Sequence, residues 1–119
     1  MSLKQTVVGT SAANTAQTVS VTGIAKKRVY LFGYKVFIAA AAAGADITID
    51  IKKYDGTTAT TIWSDIIGNA AGRGTVVSYK FGDTKNDALP IPQGFTLQCV
   101  VAAGGAACVT VASLEYMVE

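Results

Sequence analysis

An all-β fold, an antiparallel β-sandwich of jelly-roll type with about seven or eight strands, is what this sequence predicts. Three observations carry the prediction. Short runs alternate apolar and polar residues with period two, as in Ile47-Thr48-Ile49-Asp50-Ile51. Gly, Asn, Asp and Pro punctuate these runs at regular spacing, and no stretch shows the 3.6-residue period of an amphipathic helix. The chain of 119 residues is 50% hydrophobic and 15% charged, enough for one domain with one core.

Residues 1–17, rich in Ser, Thr, Ala, Asn and Gln, are expected to form an N-terminal arm or a loosely held first strand, with the sandwich domain over 18–119. The alternation of Gln17 to Thr22 predicts a strand that ends at Gly23. Arg28 to Ile38 predicts a long strand. Its face of Tyr30, Phe32, Tyr34, Val36 and Ile38 is assigned to the core, and the opposite face carries Val29, Leu31, Gly33, Lys35 and Phe37. Five alanines at 39–43 favour helix by propensity, but Gly44 follows at once and the run is too short to hold one. A loop or bulge is expected there. Asp46 to Lys53 predicts a strand that turns at Asp55-Gly56, where glycine supplies a positive φ, and returns over Thr58 to Ile67. Gly68 to Gly74 reads as a loop, Thr75 to Phe81 as a strand and Gly82 to Asp87 as a second loop. Pro90 and Pro92 precede a strand, where their missing N–H groups interrupt no ladder. Phe95 to Ala102 and Ala106 to Val118 are expected to pair as a terminal hairpin around Gly104-Gly105.

Composition narrows function. The chain has no histidine, the commonest general base and metal ligand near neutral pH. No side chains assemble a nucleophile, a base and an orienting group, so no enzyme, cofactor or metal site is expected. The net charge of +2 is too small for a dedicated nucleic-acid binder. No segment approaches the roughly 18 apolar residues that cross a bilayer, and the polar start is unlike a signal peptide. Neither nucleic acid nor membrane is therefore an expected partner. Lys26-Lys27-Arg28, the one basic cluster, reads as a soluble loop edge, and the Asp residues of the loops read as solvated turn carboxylates.

Three sets of residues merit a site reading. Cys99 and Cys108 flank the expected terminal hairpin. A four-residue turn over 102–105 sets them opposite each other, at a distance a disulfide accepts. A two-residue turn at Gly104-Gly105 sets Cys99 against Thr110 and excludes the bond, leaving two small buried thiols. Trp63 and Tyr54 are candidate glycan-stacking residues, although Trp63 among Ile62, Ile66 and Ile67 also suits a core or interface position. Val29, Leu31 and Phe37 are candidate subunit-interface residues, because they cannot share the core face of their strand with Tyr30, Phe32 and Tyr34. Cover by a second layer of the same chain is the alternative.

The long strand opening on Lys27-Arg28-Val29-Tyr30-Leu31, the alanine run to Gly44, Ile47 to Ile51, the Leu89-Pro90-Ile91-Pro92-Gln93-Gly94-Phe95 lead-in and the ending Val109 to Val118 span nearly the whole chain. Together they resemble, in style rather than by a specific motif, the small jelly-roll decoration, head-fibre and tail-associated proteins of tailed bacteriophages. The resemblance implies a non-enzymatic virion structural protein, made in the host cytoplasm and carried on the virion. It implies a homotrimer that cements a capsid by binding the major capsid protein or another virion protein. A carbohydrate-binding or receptor-binding module of a tail or head fibre is the alternative.

Overall fold

A computed structural model describes residues 3–119. Among the described residues nine strands occur in chain order: β1 Gln5–Thr10, β2 Gln17–Val21, β3 Val29–Ala40, β4 Ile47–Tyr54, β5 Ala59–Ile67, β6 Val76–Lys80, β7 Leu89–Pro90, β8 Thr96–Val101 and β9 Val109–Val118. One sheet has the order β1-β9-β3-β6, with the two-residue β7 also paired to β3, and the other has the order β2-β8-β4-β5. All pairings are antiparallel. The chain passes repeatedly from one sheet to the other, so neighbours within a sheet are mostly remote in sequence. This is the jelly-roll arrangement that the strand pattern predicts.

The period-two runs set the core. Ile47, Ile49 and Ile51 of β4, Leu97, Cys99 and Val101 of β8, and Ala112 and Leu114 of β9 are all fully buried between the sheets. The β4–β5 hairpin turns at Gly56, whose φ is +100°. There Asp55 Oδ1 accepts hydrogen bonds from the Thr57 and Thr58 amides at 2.8 and 2.7 Å. Those amides hold the Asp55 carboxyl below the usual carboxylate range. Gly23 is required by close approach: a Cβ there would lie 2.2 Å from the Gly94 carbonyl oxygen.

Two expectations are corrected. The first concerns β3. Leu31 pairs with Tyr116 and Gly33 with Glu115, so Phe32 is an extra residue that breaks the alternation. Before this bulge the inward residues are Val29 and Leu31; after it they are Tyr34, Val36 and Ile38, all in the main core. Val29 and Leu31 are therefore core residues, unavailable as interface residues, and Phe32 instead packs with Ala88, Met117 and Tyr30 in a small separate cluster. The apolar residues on both faces of the sequence pattern reflect a change of phase within one strand.

The second correction concerns the terminal hairpin. β8 lies between β2 and β4, whereas β9 lies between β1 and β3 in the other sheet. Residues 102–108 cross between the sheets instead of turning back within one. Cys99 consequently faces Val19 and Ile51, and Cys99 and Cys108 are both buried, free thiols.

Candidate functional site on the outer face of the five-stranded sheet

The phase change leaves Phe37 on the outer side of β3, half-buried, where register aligns it across four strands. Thr10 of β1 pairs with Val111 of β9, Val111 with Phe37, and Phe37 with Val76 of β6. Val8, two residues from Thr10 on the same side of β1, extends this band. Val8 is 59% and Val76 50% exposed. Four strands at about 4.8 Å spacing make the row roughly 14 Å wide, an apolar strip that no further layer covers among the described residues.

Polarity rises along the face from that strip. The next row is Val8, Ser113, Lys35 and Ser78, and the one beyond is Thr6, Glu115, Gly33 and Lys80. Because Gly33 has no side chain, these two rows enclose a shallow depression of about 320 Å³. Gly33 also permits close pairing with β6, since a Cβ there would lie 2.8 Å from the Tyr79 carbonyl oxygen. Lys80 and Lys4 pair with Asp83 at 2.6 and 3.6 Å, and Lys4 reaches Glu115 at 4.0 Å. Lys35 Nζ lies 5.7 Å from the Phe37 ring centroid, so its charge borders the apolar strip.

Trp63 and Tyr54 do not share a platform. Trp63 is turned inward and packs against the core from the edge strand β5. Its ring meets Tyr79 and Phe81 at centroid distances of 4.6 and 5.0 Å. The indole Nε1 donates to the Tyr34 hydroxyl at 2.9 Å, and that hydroxyl donates to Asp65 Oδ2 at 2.7 Å. The chain of bonds ties β3 of one sheet to β5 of the other where the sandwich would otherwise gape. Burial, then the bond to Asp65, pushes the Tyr34 hydroxyl pKa up to about 12. Tyr54, three residues beyond Ile51, the partner of Trp63, lies on the opposite face of the sheet by strand alternation. Its hydroxyl donates to the Gly56 carbonyl of its own turn. Burial likewise pushes the Cys99 thiol up to about 12. Among the described residues, no three His, Cys, Asp or Glu side chains gather as a metal site requires.

The two ends of the sandwich differ sharply. One end is built from segments 11–16, 41–46, 68–75 and 102–108, almost wholly Ala, Gly, Ser, Thr and Asn, with Asp46 and Arg73 as their charged residues. The other end holds Lys26-Lys27-Arg28, Asp55, Asp83, Lys85, Asp87 and Glu119. Of the interface candidates Val29, Leu31 and Phe37, only Phe37 lies on this outer face. Val8, Val76 and Val111 were not singled out, because only register across β1, β9, β3 and β6 places them beside it.

Fold and site define an all-β jelly-roll sandwich with an uncovered apolar strip on one sheet. No family model and no curated protein matches the sequence. Among solved structures, the chain is similar to the Yersinia pseudotuberculosis-derived mitogen, at 12% identity and TM-score 0.45, covering 98% of this chain and 86% of that one. It is also similar to chains of infectious bursal disease virus. For the Gt strain the identity is 20% and the TM-score 0.44, over 98% of this chain and 31% of the viral one. For the VP2 subviral particle they are 16% and 0.38, over 97% and 32%. The chain thus spans about a third of the viral chains. These are loose likenesses of shape.

Proposed function

We propose that this protein is a virion structural protein of the capsid-decoration class, non-enzymatic, assembled as a homotrimer and carried on the outside of a capsid shell. The observation that supports the reading is the strip of Val8, Val111, Phe37 and Val76 on the outer sheet, in which Val8 and Val76 are exposed and Phe37 and Val111 partly buried. Neighbouring side chains in register on a rigid sheet make a flat surface that suits a flat partner. In this reading the strip is set against the major capsid protein. Covering a half-exposed Val is worth roughly 1 kcal/mol at about 25 cal/mol per Å² of apolar area. The two exposed valines together supply about 2 kcal/mol per subunit by the same conversion, Phe37 and Val111 add less, and three linked subunits multiply the effect.

The test is co-sedimentation with shells assembled from the major capsid protein of the same virion. The wild-type chain is expected to sediment with the shells. Phe37→Ser combined with Val76→Ser is expected to weaken binding roughly thirtyfold, about 2 kcal/mol, with its fold intact by circular dichroism. Failure of the wild-type chain to bind, or equal binding by the double variant, would overturn the reading.

A further inference from the structure

We infer that copies of this chain associate end to side, the Ile24–Arg28 loop of one copy seating on the outer face of the β4–β5 hairpin of the next. The inference rests on the oligomeric reading above but uses different residues. Lys26, Lys27 and Arg28 are consecutive and exposed, and among the described residues no carboxylate lies within ion-pair distance of any of them. Lys4, Lys80 and Lys85, near the same end, all have acidic partners. The loop is also rigid. Lys27 N donates to the Ile24 carbonyl, Arg28 exchanges two backbone bonds with Glu119, and Gly94 N donates to the Lys27 carbonyl. Lys26 is held at a φ of +65°, unusual for a side chain with a Cβ. Ile24 projects from this fixed knob, 48% exposed.

The complementary surface lies on the other sheet. Thr48 and Asp50 fall at alternate positions along β4 with Asp46 just before its start, and Thr48 and Asp50 pair with Ile66 and Ser64 of β5. Thr48, Asp50, Ser64, Asp65 and Ile66 line a shallow, open hollow of about 400 Å³. Ile66 is 51% exposed beside it. Asp46 Oδ1 accepts from the Asn69 amide and Asp50 Oδ1 from the Ser64 hydroxyl, but neither carboxylate has a cation within ion-pair distance among the described residues. Knob and hollow therefore match twice. Each presents one exposed isoleucine, and their unpaired charges are opposite in sign.

A second copy fits this knob better than the other acidic partners do. Three cations fall short of the 6–10 phosphate contacts typical of a nucleic-acid site, and a phosphate backbone offers nothing apolar to Ile24. A bilayer surface offers no hollow. Surfaces that differ on the two copies make a heterologous contact, which closes into a ring when the rotation permits.

The test is light scattering coupled to size exclusion at micromolar concentration. One variant carries Lys26→Glu, Lys27→Glu and Arg28→Glu; another carries Asp46→Lys and Asp50→Lys; Asp46→Asn with Asp50→Asn keeps the side-chain oxygens that accept from the Asn69 amide and the Ser64 hydroxyl. The wild-type chain is expected to be oligomeric, and each charge-reversed variant to associate at least about tenfold more weakly. The Asn pair should show a smaller loss, and a mixture of the two reversed variants should regain association. High salt should weaken the wild-type oligomer. An oligomer unchanged by either reversal, or a mixture that stays monomeric, overturns the inference while leaving shell binding through Phe37 intact. A monomeric wild-type chain, or a basic triplet whose reversal abolishes binding only to duplex DNA or to phosphatidylserine vesicles, also overturns it.

Discussion

Removing the hydroxyl of Tyr34 probes how the two sheets are held together at their open side. Tyr34 is 3% exposed, and its oxygen is the middle of a three-residue chain of hydrogen bonds to Trp63 and Asp65. Tyr34→Phe keeps the ring and opens no significant cavity, so the loss is polar. It strands an indole N–H and removes a donor from a carboxylate. A neutral hydrogen bond is worth about 0.5–1.5 kcal/mol net and one to a charged group about 1.5–3. Asp65 is half-buried and gains some compensation from water, so the expected loss is about 2 kcal/mol. Urea denaturation followed by the fluorescence of Trp63, the single tryptophan, reads both the stability and the seam itself. With a slope of about 1–3 kcal/mol per molar urea, the midpoint should fall by roughly 1 M. A shift below about 0.3 M would mean that the bridge contributes little and that aromatic packing closes the seam. The same group carries a pH signature. Its folded pKa of about 12 lies above the unfolded value near 10. The folded state therefore holds this proton more tightly, and the stabilisation is complete below about pH 10 and lost as pH rises through 12. Wild-type stability should fall more steeply across that window than that of Tyr34→Phe.

Other outcomes follow from the core and the loops. Cys99 and Cys108 are buried and free, and burial keeps Cys99 a thiol. Neither should react with Ellman's reagent in the native protein, and both should react in guanidinium; fast native labelling of either would contradict the packing. Gly23→Ala forces a methyl group into the Gly94 carbonyl and should cost at least about 1–3 kcal/mol of stability by thermal or urea unfolding. An unchanged midpoint would show that the β2–β3 loop yields freely.

Where local chemistry decides the structure, the sequence is readable. The Ile47–Ile51 alternation, the Asp55-Gly56 turn and the prolines ahead of β8 each act within a few residues, and each predicts an element that the structure contains. What escaped depends on contacts remote in sequence. The Phe32 bulge is defined only by how β3 meets β9, so the strand pattern alone puts Val29 and Leu31 on the wrong side. The small-residue segment 102–108 has the composition of a hairpin turn. Pairing of β8 with β2 and β4, and of β9 with β1 and β3, makes it a crossing between sheets. The disulfide alternative fails for the same reason. Phe37 was legible as an outward residue, but its neighbours Val8, Val111 and Val76 come from strands that only register brings together. The hydroxyl bridge from Trp63 through Tyr34 to Asp65 gave no sequence signal, since Tyr34 lies about thirty residues from its two partners.

The alanine- and glycine-rich end has the make-up of a flexible tether, yet its segments are stitched to one another. Ala43 and Ala71 are joined through backbone amides, as are Ala70 and Ala43, and Gly44 and Gly104. A foreign peptide spliced into that end would break these stitches. One spliced at Asp55-Gly56 would disturb only a single exposed turn. For anyone wishing to display cargo on this scaffold, the Asp55-Gly56 turn is the permissive site, although the alanine- and glycine-rich end looks the looser by composition.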